Sequence, residues 1–194
     1  MPHAEFEKDI EFILANLDDT RRVIKHAYRI RKQLVSLTIS GMLDERNFYR
    51  ITSVLTPQSR STLWQNYFRK KHRALKVKAD QNRGDFEKNG TFYEYKASGF
   101  NEGNVLHIVQ IRLWQNCDYV IESISDNGAV TFILDHQEMV FETEAVPATV
   151  AHGTKLVTDR SEHVELRMTL RRDSEAWDRW TERYTNRTLK EVHS

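Results

Sequence analysis

Gly84-Asp85-Phe86-Glu87-Lys88-Asn89-Gly90-Thr91-Phe92-Tyr93-Glu94-Tyr95-Lys96 reads as a β-hairpin that carries its chemistry on one face. Asn89-Gly90 is the dipeptide most characteristic of a two-residue type I′ turn. Strands are expected from Gly84 to Lys88 and from Thr91 to Ser98. With Asn89 and Gly90 as the loop, Lys88 stands opposite Thr91, Glu87 opposite Phe92, Phe86 opposite Tyr93 and Asp85 opposite Glu94. Directly opposed residues share a face with Cβ atoms roughly 4.5–5.5 Å apart, where like charges repel. A divalent cation between Asp85 and Glu94 would relieve that repulsion, and Mg²⁺ takes one or two carboxylates while leaving other positions to water and substrate phosphate. The strand period of two keeps Lys96 on the face of Glu94.

On the N-terminal side the hydrophobic period is helical. Phe6, Ile10, Ile13, Leu14 and Leu17 form one stripe, and Val23, Ile24, Ala27, Tyr28, Leu34 and Val35 another. Arg21, Arg22, Lys25, Arg29, Arg31 and Lys32 cover the outer side of that second helix. Asp44 suits the cap of a third helix bearing Phe48, Ile51 and Leu55, and Pro57 suits the first turn of a fourth that runs to about His72. Leu75, Val77 and Ala79 then alternate like a strand. On the C-terminal side, Asn104 to Trp114 reads as a helix, Tyr119–Ser125 and Val130–Leu134 as strands around Asp126-Asn127-Gly128, and Gln137 to Glu144 as a short helix. Val164, Leu166 and Met168 alternate as a strand, and Glu175 to Arg187 closes the chain as a helix with Trp177, Trp180 and Tyr184 on one face. The expected fold class is α/β (α+β), a central mixed β-sheet flanked by helices with a helical N-terminal part. A single domain is expected over 1–194, with residues 1–55 as the helical part and 56–194 as the core.

Composition limits what the chain can do. It has 194 residues with 39% apolar, 29% charged and 10% aromatic, too rich in core-formers for disorder. Its longest nearly apolar run, Ala129 to Leu134, is far short of the roughly 20 residues that cross a bilayer. No membrane association is expected, and the absence of a basic-then-apolar leader fits a cytoplasmic location. One cysteine, Cys117, excludes an internal disulfide and Cys-rich zinc modules, and reads as a small buried apolar group. No His-Glu-x-x-His, Gly-x-Ser-x-Gly or phosphate-binding Gly loop occurs, which removes zinc hydrolase, esterase and nucleoside-triphosphatase chemistry. Net charge is only +1, yet Arg60 to Arg83 holds eight cations against Asp80 alone, interleaved with Trp64, Tyr67, Phe68 and His72. That is the pattern expected where phosphates are held, although a solvated helix face gives it too.

Two carboxylates, an amine and an upstream basic segment are the parts that phosphodiester hydrolysis needs. Gly84-Asp85, eight intervening residues and Glu94-Tyr95-Lys96 resemble the PD-(D/E)XK nuclease motif, and the continuation through Val109-Gln110-Ile111-Arg112 and Asp118-Tyr119-Val120-Ile121 resembles type II restriction endonucleases of that superfamily. The resemblance covers about Thr56 to Leu134. It implies a restriction-endonuclease-like fold and a metal-dependent, site-specific deoxyribonuclease that cuts double-stranded DNA to leave 5′-phosphate and 3′-hydroxyl ends. It further implies Mg²⁺ held by Asp85, Glu94 and the main-chain carbonyl of Tyr95, Lys96 as the catalytic lysine, and a homodimer straddling a palindromic site. Gly84 stands where the motif usually has proline, a relaxation expected to cost little. Gln65 stands where many relatives place a glutamate and is not taken as catalytic. Of the eleven lysines only Lys96 has Asp or Glu two residues before it.

Arg69, Lys70, Lys71 and Arg73 are expected on DNA phosphates. Gln110, Arg112, Gln115 and Asn116 are of the types that pair with adenine or guanine edges, and equally of the types that cap helices or meet phosphate. Two alternatives stay open beside the restriction enzyme: a repair or phage nuclease of the same superfamily, and a non-catalytic DNA-binding or regulatory protein with a nuclease-like fold; taken alone, Asp85 also reads as a plain turn residue and Glu94 with Lys96 as a surface pair on a strand.

Overall fold

Apolar residues at helical spacing build α1 (His3–Leu14), α2 (Thr20–Ile39), α3 (Glu45–Ser53) and α4 (Pro57–Lys71). Side chains of Asp19 and Asp44 cap α2 and α3 by accepting the N–H groups of Arg22 and Asn47, and Pro57 opens α4. Val23, Ala27, Ile30 and Leu34 of α2 are fully buried, as are Phe48 and Ile51 of α3. Trp64 of α4 is buried too, and its indole N–H donates to Thr52 Oγ1 at 2.7 Å, so a large apolar body enters the core with its polar edge satisfied.

The computed structural model describes residues 3–78, 83–99, 104–146, 148–150 and 164–190. The chain is a mixed α+β protein that divides into two units, 1–72 with 124–128 and 73–123 with 129–194. The first unit holds all four of these helices and takes in the strand-to-strand turn around Asp126, whose carbonyl accepts Arg46 Nε–H at 3.1 Å. No helix among the described residues is long and apolar enough to cross a membrane.

The second unit contains β1 (Leu75–Lys76), β2 (Phe86–Lys88), β3 (Thr91–Gly99), β4 (Val105–Ile111), β5 (Asp118–Ser125), β6 (Gly128–Leu134), α5 (His136–Ala145), β7 (Thr149–Val150), β8 (Leu166–Arg171) and α6 (Glu175–Tyr184). Among the described residues, one sheet has the order β1-β2-β3-β5-β6 and a second the order β4-β8-β7. Residues 118–124 of β5 are all buried, as expected of a strand covered on both faces. Leu106, Ile108, Ile111, Tyr119, Ile121, Phe132, Met168, Leu170, Trp177 and Trp180 form one core that joins both sheets and α6. The face of α6 read from Trp177, Trp180 and Tyr184 thus packs inside its own unit.

Two expectations are corrected. Residues Asn104 to Trp114 are no helix: β4 occupies Val105–Ile111 and pairs antiparallel with β8. Its register shifts between Ile108 and Ile111, and Gln110 has φ +56. The extra residue of this bulge turns Ile111 inward, so the buried positions 106, 108 and 111 end on a three-residue step that imitates helical spacing. The strand through Leu75, Val77 and Ala79 shrinks to Leu75–Lys76, with Leu75 66% exposed, and Ala79 lies outside the described residues.

Glu142 of α5 ties the C-terminal helix to this core. Its fully buried carboxylate accepts hydrogen bonds from Arg179 Nη2 at 2.6 Å, Trp180 Nε1 at 2.8 Å and Tyr184 Oη at 2.9 Å. Burial opposes ionisation, but these donors outweigh it and hold the carboxyl below its ordinary range. Stability from Glu142 is therefore present above the ordinary carboxylate pKa and lost as pH falls through the lowered folded-state value. Glu142→Gln should cost about 2 kcal/mol at neutral pH, as hydrogen bonds to a charged acceptor are lost. In urea titrations the gap from wild type should narrow on acidification below about pH 4.5; a gap independent of pH would show that the charge does not matter.

Candidate active site

The turn between β2 and β3 has φ +54 at Asn89 and +81 at Gly90, the two positive values that type I′ requires. Its register pairs Lys88 with Thr91, Glu87 with Phe92 and Phe86 with Tyr93, as the dipeptide predicts. The hairpin is held from below by the C-terminal tail, where Lys190 N–H donates to Tyr93 Oη at 2.9 Å and Asn89 Nδ2 donates to the Lys190 carbonyl at 3.0 Å.

The expected pairing of Asp85 with Glu94 as direct cross-strand neighbours is corrected. The ladder ends at Phe86. Gly84 has φ +69, which bends the chain so that the Asp85 N–H donates to the Tyr93 carbonyl at 2.8 Å. The Asp85 carboxylate then accepts the main-chain N–H of Tyr95 through Oδ2 at 2.9 Å. Asp85 nonetheless reaches Glu94 electrostatically, because its negative charge disfavours ionisation there.

Alternation along β3 does place Glu94 and Lys96 together, with Lys96 Nζ donating to Glu94 Oε1 at 2.5 Å. Both are withdrawn from water, at side-chain exposures of 5% and 14%. Burial pushes the Glu94 carboxyl above its usual range; the Lys96 ammonium opposes the rise and Asp85 adds to it. Asp85 Oδ1 and Glu94 Oε2 accept no hydrogen bond among the described residues. Two carboxylates that repel in a poorly hydrated place, each with an oxygen to spare, suit a hard cation such as Mg²⁺. Among the described residues no three His, Cys, Asp or Glu side chains gather into a metal cluster, so such an ion would draw its other ligands from main-chain carbonyl, water or phosphate.

Arg112, one residue past β4, faces the same carboxylates: its charge favours ionised Glu94, and Glu94 and Asp85 in turn favour charged Arg112. Its Nε donates to Glu165 Oε1 at 2.8 Å, so a residue expected to meet DNA bases is engaged in an internal ion pair. Cys117 is buried and its thiol is pushed up to about 12, first by burial and then by Glu94, Asp118 and Asp85. It stays protonated at neutral pH and is no nucleophile. On the other face of β3, Tyr95 Oη donates a short hydrogen bond to the buried Glu122 carboxylate, which fixes the strand's height in the sheet.

The remaining residues singled out from sequence are scattered. Arg69, Lys70 and Lys71 form the last turn of α4 in the first unit, with Lys71 Nζ 2.9 Å from Glu45. Arg73 is exposed with φ +52, Gln110 is half-buried at the β4 bulge, and Asn116 is exposed. Gln115 is only 1% exposed and is an interior side chain. Glu165 escaped sequence reading altogether, since its partner Arg112 is 53 residues away and no local spacing links them. Set against protein-family models, curated protein sequences and solved structures, the chain matches none of them.

Proposed function

We propose that the chain is a Mg²⁺-dependent endonuclease of the PD-(D/E)XK type that hydrolyses phosphodiester bonds in double-stranded DNA, in the manner of a type II restriction endonuclease. The observation that carries this reading is the meeting of half-buried Asp85 with the water-shielded pair Glu94 and Lys96 in one electrostatic group at the neck of the β2–β3 hairpin. Asp85, Glu94 and the Tyr95 carbonyl would hold the ion. When bound, Mg²⁺ polarises a phosphoryl oxygen and lowers the pKa of a coordinated water.

The chain's own residues do the rest. The Tyr95 N–H pins the Asp85 carboxylate, so the acid is oriented before any ligand arrives. Lys96 holds a proton donor beside Glu94, where it can orient the attacking water and stabilise negative charge that develops on the phosphorus oxygens. Arg112 adds a second positive charge to the same field, and its ion pair with Glu165 keeps it in place. Water attacks phosphorus, the P–O3′ bond breaks, and the leaving oxygen takes a proton to become the 3′-hydroxyl. A homodimer cutting both strands of a palindromic site, and a cytoplasmic location, go with this reading.

The test is incubation of the purified protein with plasmid and phage DNA, with Mg²⁺ and with chelator, followed by sequencing of the fragment ends. Discrete bands with 5′-phosphate ends are expected with Mg²⁺, and none with chelator. A smear would favour a repair or phage nuclease, and salt-sensitive binding without any cutting would identify a non-catalytic DNA-binding protein.

A further inference from the structure

The sheet β4-β8-β7 has, along its β4 and β8 strands, an outer face that the proposed chemistry does not use. Val105 pairs with Arg171 and His107 with Thr169, while Leu106, Ile108, Met168 and Leu170 enter the core. Alternation therefore sends His107, Val109, Arg167, Thr169 and Arg171 outward. This set carries two guanidinium groups and no carboxylate, and Val109 is 43% exposed among them.

Hydrogen bonds fix what the face presents. Arg167 Nη2 lies 3.0 Å from His107 Nδ1, and a guanidinium can only donate, so Nδ1 is the acceptor. Thr169 Oγ1, 3.1 Å from the same nitrogen, must then donate as well. The ring proton of neutral His107 is thereby assigned to Nε2, which leaves an N–H donor on the far side of the ring from Arg167 and Thr169. Burial and the Arg167 charge both favour this neutral ring.

We propose that this face docks against the major groove of duplex DNA, with Arg167 and Arg171 on phosphates and the His107 edge between them. The identity of the partner rests on the nuclease reading above. Charge complementarity supports it, since Arg167 and Arg171 are exposed cations and the carboxylate next to them by alternation, Glu165, is already paired with Arg112, which leaves an excess of positive charge for a polyanion. So does size: four strand residues separate the two arginines by about 13 Å, close to the ~12 Å width of the major groove. Continuity supports it as well. Arg112 follows β4 directly, Glu165 precedes β8 directly, and their ion pair at the end of these strands lies in the electrostatic field of Glu94 and Asp85. DNA lying along this face would reach the candidate site.

Fluorescence anisotropy with a labelled duplex, in chelator so that the DNA stays whole, tests the docking face separately from cleavage. Arg167→Ala with Arg171→Ala should weaken binding at low salt by about tenfold or more and reduce the slope of log K against log salt by about two. Arg167→Lys with Arg171→Lys should keep the wild-type slope, and thermal unfolding of all three proteins should agree because both positions are exposed. Equal affinity and slope in the alanine pair, or a wild-type protein that does not bind the duplex, would overturn the inference. Loss of Mg²⁺-dependent cutting in the wild type with this binding pattern intact would instead sink the nuclease reading and leave the docking face standing.

Discussion

Lys96→Ala should reduce Mg²⁺-dependent cleavage about 10³-fold while duplex binding in chelator stays close to wild type. The size follows from what the ammonium does. It sits 2.5 Å from Glu94 Oε1 in a site largely closed to water, where a charge aimed at developing phosphorane negativity is worth far more than in solvent. The same substitution leaves Glu94 buried without its closest counter-charge, which costs stability in its own right. Lys96→Gln separates the two effects. An amide can still donate to Glu94 Oε1 but supplies no positive charge, so it should restore most of the lost melting temperature and almost none of the cleavage. Mg²⁺ binding, measured calorimetrically on each variant, adds a second readout. Because the Lys96 ammonium repels a cation held by the neighbouring carboxylate oxygens, affinity should be kept or tightened when it goes, whereas Asp85→Asn should weaken it. Cleavage by Lys96→Gln at the wild-type rate would remove the lysine from the chemistry.

Much of this site was legible in the sequence because its frame is local. Asn89-Gly90 dictates the turn, the turn dictates the register from Lys88–Thr91 to Phe86–Tyr93, and the period of two puts Lys96 beside Glu94. Legibility stopped where a backbone angle changes the count. Nothing in the alternation of Asp85 and Phe86 reveals that Gly84 takes φ +69 and removes Asp85 from the ladder. The same kind of event at Gln110 disguised β4 as a helix, since one bulged residue replaces a two-residue step by three. Long-range pairing was invisible for a different reason: Glu165 on Arg112 and Arg179 on Glu142 depend on where distant strands and helices meet. The helices of the first unit were readable throughout, because their caps at Asp19 and Asp44 and the proline of α4 lie next to the stripes they delimit.

Gly84→Ala should be the most damaging single-methyl change in the hairpin. A Cβ at this position would lie 2.6 Å from the Tyr93 carbonyl oxygen, 2.8 Å from its carbon and 3.0 Å from Glu94 N, all backbone atoms that no rotamer change can move. A non-glycine residue at φ +69 costs about 1–3 kcal/mol before any overlap is counted, and overlap with fixed atoms adds about as much again. About 3 kcal/mol or more is expected, or roughly 6–12 °C in Tm for a chain of this length. Glycine in place of the motif's proline is here required by the backbone, because proline needs φ near −65° and Gly84→Pro would be worse still. Gly90→Ala supplies the comparison. It too has positive φ, +81, but a Cβ there meets nothing within 4 Å, so only the conformational cost of about 1 kcal/mol applies. The two variants should also differ in function. Yielding at Gly84 displaces Tyr93 and Glu94 and strains the Asp85 N–H bond to the Tyr93 carbonyl, so cleavage should fall well below wild type at temperatures where the protein is still folded. Gly90→Ala should cut normally there. Equal melting temperatures and equal cleavage for the two would mean that the close approach at Gly84 does not position Asp85.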